Sequence, residues 1–325
     1  MDAEAKWALD FANANLALLN VDVGDVVQQT ILQSVAEGTV SADAAVTRTA
    51  ARFGARIAPP ANFVIAHYDD YEIPGSMTLR NRLIDDDHPL GIEDPTQFRQ
   101  LELEISRVRL VELAMHPVQG ELDYDHLKRI HGRIFHDIYS WAGTERVGPE
   151  TPMIRYAPDT VNYGPGDPAA ALVKYSYYPG PDIAEAASIQ FAQLHDLARR
   201  ESMPRTERLD RISESGGEIQ SIHPFRDGNS RAMTAFSVQY QNSIGFRIDP
   251  ADFLMGTPLR DVMVHAWYNY QATGRHTTLT RTLEAALAAA ESERSVRSQP
   301  WRGPEARGVA PDSGVAEAPA DAPPE

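Results

Sequence analysis

The sequence contains no cysteine. This absence excludes disulfide bonds, thiolate metal sites and a cysteine nucleophile, and it is compatible with a reducing cytoplasm. An excess of basic charge is also missing, since 46 acidic residues outnumber 30 basic ones and give a formal net charge of −16. Binding to a nucleic-acid backbone normally requires a basic face, so we expect no required contact with nucleic acid.

Long apolar runs are absent as well. No stretch of about 18 apolar residues occurs, so the sequence predicts no membrane span. The N-terminus is acidic from Asp2 and has no basic segment ahead of an apolar core, unlike a signal peptide. We therefore expect no contact with a membrane and no signal peptide, with a location in the cytoplasm or export as an effector.

Strand-like alternation is scarce, and helical spacing dominates. Stripes of apolar residues at helical spacing include Leu127, Ile130, Ile134 and Ile138, and later Met233, Phe236, Tyr240 and Ile244. The best short strand candidate is Pro152 to Pro158. The sequence therefore predicts a mainly α fold with one hairpin at most.

Three regions are predicted along the chain. Residues 1–57 form a small helical module: a first helix around Trp7 and Phe11, a second ending near Gly38, and a third that begins after Ser41 and ends at Gly54. Residues 58–290 form the main domain. Residues 291–325 hold six of the 23 prolines and many alanines and glutamates, and this composition is typical of a disordered tail.

The segment from Ser221 to Met233, SIHPFRDGNSRAM, carries the clearest chemical signal. Its Asp-Gly-Asn-Ser sequence favours a turn that leads directly into a helix. The N–H groups at a helix start, together with the helix dipole, form an anion site that suits phosphate. Gly228 allows the backbone to approach a ligand closely.

The side chains in this segment complement an anion site. Asp227 is an oxygen ligand suited to Mg²⁺ on nucleotide phosphates, and Arg231 can pair with phosphate oxygens. His223 has an ordinary pKa of about 6.5, so it is mostly neutral at pH 7, as a general base must be. Taken one by one, Asp227 and Asn229 could cap a helix and Arg231 could be a solvated surface residue.

The nine residues from His223 to Arg231 resemble the Fic-family signature His-Pro-Phe-x-Asp/Glu-Gly-Asn-Gly-Arg at every fixed position but one. Three other segments resemble the same family: Tyr71–Ser76 with Leu79–Leu83, Phe135–Gly143, and Met153–Pro158. The resemblance covers roughly residues 65 to 285. It implies a Fic-fold helical bundle with a short β-hairpin flap, preceded by a small N-terminal three-helix module.

The resemblance also implies roles. His223 would deprotonate the target hydroxyl, Asp227 would hold Mg²⁺, and Asn229 would contact the α-phosphate of ATP. The nucleotide-binding set would be Phe225, Arg226, Gly228, Asn229, Ser230 and Arg231, although Phe225 is also expected to pack in the core. The flap, Met153, Ile154, Arg155, Tyr156 and Ala157, would pair with an extended segment of a target protein. The implied reaction transfers AMP to a protein hydroxyl and releases pyrophosphate.

Two positions depart from the family pattern. Ser230 replaces a glycine, and Thr234 stands where active members carry a second arginine for the γ-phosphate. These departures keep two alternatives open: a Fic-fold transferase with another nucleotide or a phosphodiester as donor, and a nucleotide-binding pseudoenzyme. The retained His223, Asp227, Asn229 and Arg231 favour an active adenylyltransferase.

Residues 7–54 resemble the small VbhA-type antitoxin that blocks Fic toxins. The inhibitory element of such antitoxins would fall at Ala17–Asp22, where its serine and glutamate are missing. We expect a module that packs on the catalytic domain in cis without blocking the nucleotide by that route; a separate small antitoxin is the alternative. A different cluster, His126, His131 and His136, has spacings of five residues and therefore does not predict a zinc site.

Overall fold

Ten α-helices and two short strand pairs form the described part of the chain, so the prediction of a mainly α fold is confirmed. The computed structural model of the protein describes residues 1–60, 63–200 and 202–298. The elements are α1 Ala3–Ala17, α2 Val26–Ala36, α3 Ala42–Arg52, β1 Arg56–Ile57, β2 Leu83–Ile84, α4 Pro95–Met115, α5 Tyr124–Phe135, β3 Ile154–Pro158, β4 Leu172–Ser176, α6 Ile183–Ala198, α7 Arg205–Ile222, α8 Asn229–Ser243, α9 Pro258–Thr273 and α10 Thr277–Ser298.

The three N-terminal helices begin at capping residues. The side chains of Asp2, Asp25 and Ser41 each accept a hydrogen bond from a backbone N–H in the first turn of the helix that follows. Such bonds satisfy donors that have no partner within the helix. The breaks that the sequence predicts near Gly38 and Gly54 also occur, and both glycines have positive φ angles.

Helix α4 is the element on which the N-terminal helices pack. It contacts α1, α2, α3 and also α5. Its Arg109 is almost fully buried and pairs with Asp43 of α3 at 2.8 Å and with Asp137 at 2.7 Å. Apolar side chains of α1, including Phe11 and Leu16, are buried in the same core as those of α4. The N-terminal helices therefore share a continuous core with the main domain.

Helices α5 to α10 complete the bundle. Helix α7 packs against α6, α8, α9 and α10, and α8 packs against α5. The last helix, α10, extends to Ser298, past the boundary predicted at residue 290. The Glu, Ser and Arg residues that follow Ala290 are compatible with a helix, and proline first occurs at Pro300. The rest of the predicted tail, residues 299–325, lies outside the described residues.

The strands form two separate antiparallel pairs. β3 pairs with β4 in a hairpin, with Tyr156 opposite Lys174, and this is the hairpin predicted around Pro152–Pro158. The pairing of β1 with β2, two residues each, was not predicted, because such short strands show no alternation of side chains. Within the described ranges, no helix combines the length and apolar character needed to cross a bilayer.

Candidate active site

The segment that connects α7 to α8 forms a tight loop. His223 ends α7 in the left-handed conformation, with φ of 54°, and α8 begins at Asn229. The side chain of Asn229 closes the loop, because it accepts a hydrogen bond from Phe225 N–H at 2.8 Å and donates one to the Phe225 carbonyl at 2.7 Å. The buried Asn229 amide therefore fixes the loop conformation in this structure.

Gly228 occupies the position before α8, where only glycine fits. Its φ is 81°, and an added Cβ atom would lie 2.4 Å from the ring of Phe135. No side chain caps α8 at this residue. The N–H groups of the first turn, at Asn229, Ser230 and Arg231, therefore keep their capacity to bind an anion.

The imidazole of His223 is partly buried and stacks on the ring of Tyr177, with 3.8 Å between ring centroids. Burial, followed by the positive charges of Arg146 and Arg155, lowers the pKa of His223 to about 3, and the opposing effect of Asp227 is smaller. The imidazole is therefore neutral at pH 7 and can accept a proton.

Arg146 connects the loop to the flap hairpin. Its Nε donates to the carbonyl of His223 at 2.9 Å, and its terminal nitrogens donate to the carbonyls of Gly148 and Tyr178. Its own backbone N–H donates to the carbonyl of Pro224 at 2.9 Å. One buried guanidinium therefore fixes the backbone on both sides of the imidazole. This role of Arg146 was not predictable from sequence, because the contacts are with backbone atoms.

His131 of α5 packs against the loop between α7 and α8. Its ring stacks on the buried Phe225 at 3.9 Å. Its Nδ1 accepts from Gly143 N–H at 2.8 Å, so its Nε2 carries the proton and donates to the Asp227 carbonyl at 2.9 Å. His126 is buried, whereas His136 is exposed. Within the described part of the chain, no three His, Asp or Glu side chains are grouped so that they could hold a metal ion.

Asp227 remains partly exposed, with 39% of its side chain accessible. Burial alone would raise its pKa, but Arg231 and a hydrogen bond from Gly228 N–H outweigh it, so the pKa lies below its ordinary value. An ionised, partly exposed carboxylate fits Mg²⁺, which takes one or two protein carboxylates and fills its other positions with phosphate oxygens and water. The residues present therefore fit the predicted ion, with Asp227 as the protein ligand.

Arg231 lies in the interior, with only 1% of its side chain exposed. It forms an ion pair with the equally buried Glu102 of α4, donates to Ser106 Oγ at 2.8 Å and lies over the Phe135 ring. The carboxylates of Glu102 and Asp227 outweigh burial and hold the pKa of Arg231 above its usual value. The structure thus gives Arg231 protein partners where the sequence predicted nucleotide phosphates.

Arg226 has protein partners too. Its guanidinium lies over the ring of Tyr68 and donates to Glu72 at 3.2 Å. Phe225 is fully buried, as expected of a core residue. Of the residues predicted to bind nucleotide, four have side chains that hold the loop in place, namely Phe225, Arg226, Asn229 and Arg231, whereas Ser230 lines an open cavity.

This cavity, called the flap cavity below, has a volume of about 330 Å³. Its wall includes Ser230, Gln220 and Tyr177 near the loop, Arg155, Tyr156 and Ala157 of the flap, Leu18–Asn20 at the end of α1, and Arg260, His265 and Tyr268 of α9. Its volume lies at the lower end of the range for small-molecule sites. His223 does not line the cavity, but Tyr177, on which it stacks, does.

The flap presents a free edge. Strand β3 pairs with β4 on one side, and no third strand joins the hairpin within the described residues. Ile154 and Tyr156 are 50% and 66% exposed. Met153 precedes the strand, and its carbonyl accepts from Tyr177 N–H at 2.9 Å. An exposed edge with apolar side chains can bind an extended peptide by strand addition.

Comparisons with known proteins find one matching family model and similar protein sequences. A family model described as Fic/DOC family matches residues 121–240. Protein adenylyltransferase VbhT of Bartonella schoenbuchensis is 28% identical over 163 residues, which are 49% of this chain and 29% of that protein. A protein of Sinorhizobium fredii named probable protein adenylyltransferase y4lH is 29% identical over 181 residues, 54% of this chain and 77% of its own length.

Solved structures share the fold. The BepC protein of Bartonella tribocorum, crystallised with bound AMPPNP, aligns with a TM-score of 0.52 at 19% identity and covers 68% of this chain and 98% of its own. The N-terminal Fic domain of a Bep effector from Bartonella sp. AR 15-3 aligns with a TM-score of 0.53 at 18% identity. The alignment covers 71% of this chain and 97% of that domain's chain. The match to the Fic/DOC family model covers residues 121–240 of this chain, and the solved structures share its fold.

Proposed function

We propose that this protein is an adenylyltransferase that moves AMP from ATP to a hydroxyl side chain of a target protein. The observation that carries the proposal is the loop from His223 to Gly228, which sets a neutral imidazole beside an uncapped helix start that borders the flap cavity. Relatives named protein adenylyltransferase support the same activity.

The chemistry follows from the positions of these groups. The N–H groups at the start of α8 bind oxygens of the α-phosphate and stabilise the charge that develops on them. His223 accepts the proton of the target hydroxyl while the hydroxyl oxygen forms a bond to the α-phosphorus. The bond between the α-phosphorus and the bridging oxygen breaks, and pyrophosphate leaves. Mg²⁺ held by Asp227 would offset negative charge on the phosphates.

Bound nucleotide would also change the pKa of His223. The pKa of His223 is about 3 without a ligand, because of burial and of Arg146 and Arg155. The negative charge of a polyphosphate in the neighbouring flap cavity favours the imidazolium and raises this pKa. Nucleotide binding would therefore make His223 a stronger base when a target hydroxyl arrives.

Target recognition is assigned to the flap. The free edge of β3 and the exposed side chains of Ile154 and Tyr156 suit an extended segment of a partner protein. Main-chain pairing depends little on the amino-acid sequence of the target. The expected acceptor is therefore an accessible hydroxyl in an extended, mobile segment.

Labelled nucleotides test the reaction. The protein and a His223→Ala variant are incubated with Mg²⁺, cell lysate and ATP labelled on either the α- or the γ-phosphate. AMP transfer predicts protein-bound label from α-labelled ATP only, and its loss in His223→Ala. Label from γ-labelled ATP would indicate phosphoryl transfer. Absence of label from ATP, together with labelling by another α-labelled nucleotide, would show that ATP is not the donor.

A further inference from the structure

Neither Arg231 nor the residue at position 234 offers a positive charge that is free to bind the terminal phosphates of ATP. ATP carries several negative charges, and its phosphate oxygens are well matched to arginine. Arg231 is occupied by Glu102 and buried. One turn further along α8, Thr234 contributes a hydroxyl and no charge, and that hydroxyl has no hydrogen-bond partner among the described residues.

Two arginines line the flap cavity, Arg155 and Arg260. Arg155 lies on the exposed strand β3, and its guanidinium interacts with the phenols of Tyr177 and Tyr268. Arg260 lies on the first turn of α9 and is only 12% exposed, so its position is better defined. A preoriented arginine loses less entropy on binding than one on an exposed strand.

The end of α1 holds Arg260 in place. Its Nε donates to the Ala17 carbonyl at 2.8 Å, and one terminal nitrogen donates to Asn20 Oδ1 at 3.2 Å. The other terminal nitrogen donates to Asp261 at 2.7 Å, a carboxylate that is 41% exposed. A guanidinium has five N–H donors, so these three bonds leave two for a ligand.

Helix α1 contacts the other end of the site as well. Asn15 donates to the carbonyl of Arg231, in the first turn of α8, at 3.2 Å. Leu18, Leu19 and Asn20 then form part of the wall of the flap cavity. The N-terminal helix therefore touches both the helix start that would bind the α-phosphate and the arginine across the cavity.

We propose that Arg260, oriented by the carboxyl end of α1, binds the terminal phosphates of the nucleotide donor. The inference rests on the proposed function and deepens it, because it makes the N-terminal helix a constituent of the nucleotide site.

Three carboxylates also line the flap cavity, Asp159, Asp167 and Asp261. Asp159 and Asp167 accept hydrogen bonds from backbone N–H groups of the loop between β3 and β4, so they serve that loop, and only Asp261 adjoins Arg260.

A series of nucleotides tests the proposal with the full chain. Dissociation constants for adenosine, AMP, ADP and ATP are measured by calorimetry, without metal, for the wild type, Arg260→Gln, Arg260→Lys and Asn20→Ala. The matched control is Arg281→Gln, an exposed arginine on α10. We expect Arg260→Gln to weaken ATP binding by about 10- to 100-fold and ADP binding by less, as loss of a charged hydrogen bond predicts. Adenosine and AMP should bind as to the wild type.

The other variants refine the result. Arg260→Lys retains charge and should recover part of the ATP affinity, and Asn20→Ala should show a smaller loss than Arg260→Gln. Thermal unfolding checks that each variant is folded, and Arg260→Lys serves as the test if Arg260→Gln is not. Unchanged ATP affinity, or an equal loss for adenosine and ATP, would overturn the proposal for Arg260. A wild type that binds none of the four compounds would instead overturn the proposed function.

Discussion

Arg146 donates a 2.9 Å hydrogen bond from Nε to the carbonyl oxygen of His223, the residue that ends α7 with a positive φ. The same guanidinium donates to the carbonyls of Gly148 and Tyr178, so one side chain joins the loop from His223 to Gly228 to the flap. Because these bonds act on backbone atoms, Arg146 is a positioning residue for the imidazole.

Replacing Arg146 should therefore impair turnover more than nucleotide binding. We expect Arg146→Met to lower kcat by about 100-fold, since a misplacement of about 1 Å can cost that much, and Arg146→Lys to recover part of the loss. The measurement is AMP transfer at saturating ATP, with ATP affinity determined in parallel. Arg129→Met, at an arginine 46% exposed on α5, is the control. A loss of stability with unchanged kcat would show that the role is only structural.

Gly228 should not tolerate a side chain. Gly228→Ala places a Cβ 2.4 Å from the ring of Phe135 at a φ of 81°, so we expect a loss of about 2–4 kcal/mol in the free energy of unfolding. The control is Gly216→Ala in α7, where an added Cβ meets nothing within 4 Å and the φ is not positive. That change should stabilise the protein by about 0.5–1 kcal/mol. Urea denaturation measures both, and similar effects at the two sites would contradict the explanation.

Removing one charge of the ion pair between Glu102 and Arg231 should strongly lower the free energy of unfolding. Glu102→Gln leaves the buried guanidinium with only the more distant and more exposed Asp227, at 3.7 Å, as a charged partner, so a loss of about 3–5 kcal/mol is expected. The double variant Glu102→Leu with Arg231→Met should recover much of it, because neither charge then remains buried. The comparison pair is Arg205 with Glu291, both about half exposed, where Glu291→Gln should cost less than about 1 kcal/mol. Equal costs at both sites would refute the distinction.

The lowered pKa of His223 predicts a pH dependence of stability. Folding holds the imidazole neutral down to about pH 3, whereas the unfolded chain binds a proton near pH 6.5. The stability that His223 contributes is therefore complete above about pH 7 and is lost as the pH falls. Relative to His223→Gln, the wild type should lose about 1–2 kcal/mol between pH 7 and pH 5. Denaturation curves at several pH values give this difference, and parallel profiles would argue against a buried, neutral imidazole.

The edge of the flap offers a test of target binding. Ile154 is half exposed on β3 and does not line the flap cavity. Ile154→Ala should raise the KM for a protein target while ATP affinity stays the same, because it removes apolar contact only from the edge proposed to bind the target. Val161→Ala, at an exposed residue in the loop after β3, is the matched control. A change in ATP affinity with unchanged KM for the target would assign Ile154 to the nucleotide side.

Much of the local structure was predictable because its causes lie within a few residues. The helix start after Ser41 and the turn before α8 depend on hydrogen bonds and backbone angles between near neighbours. The turn-forming residues of the motif also predicted a loop that leads into a helix at this place. Strand β4 was not predicted, since Leu172–Ser176 forms a strand through its pairing with β3.

The sequence by itself determined which residues form the loop from His223 to Gly228 and that a helix start follows it, because turn and capping preferences act over short distances. Only the tertiary structure decided what each side chain does. Arg231 meets Glu102 of α4, His131 meets the Asp227 carbonyl from 96 residues away, and Arg260 meets Ala17 from 243 residues away. Such contacts arise when distant helices pack around one core, and burial then fixes which charges are paired and which remain available to a ligand.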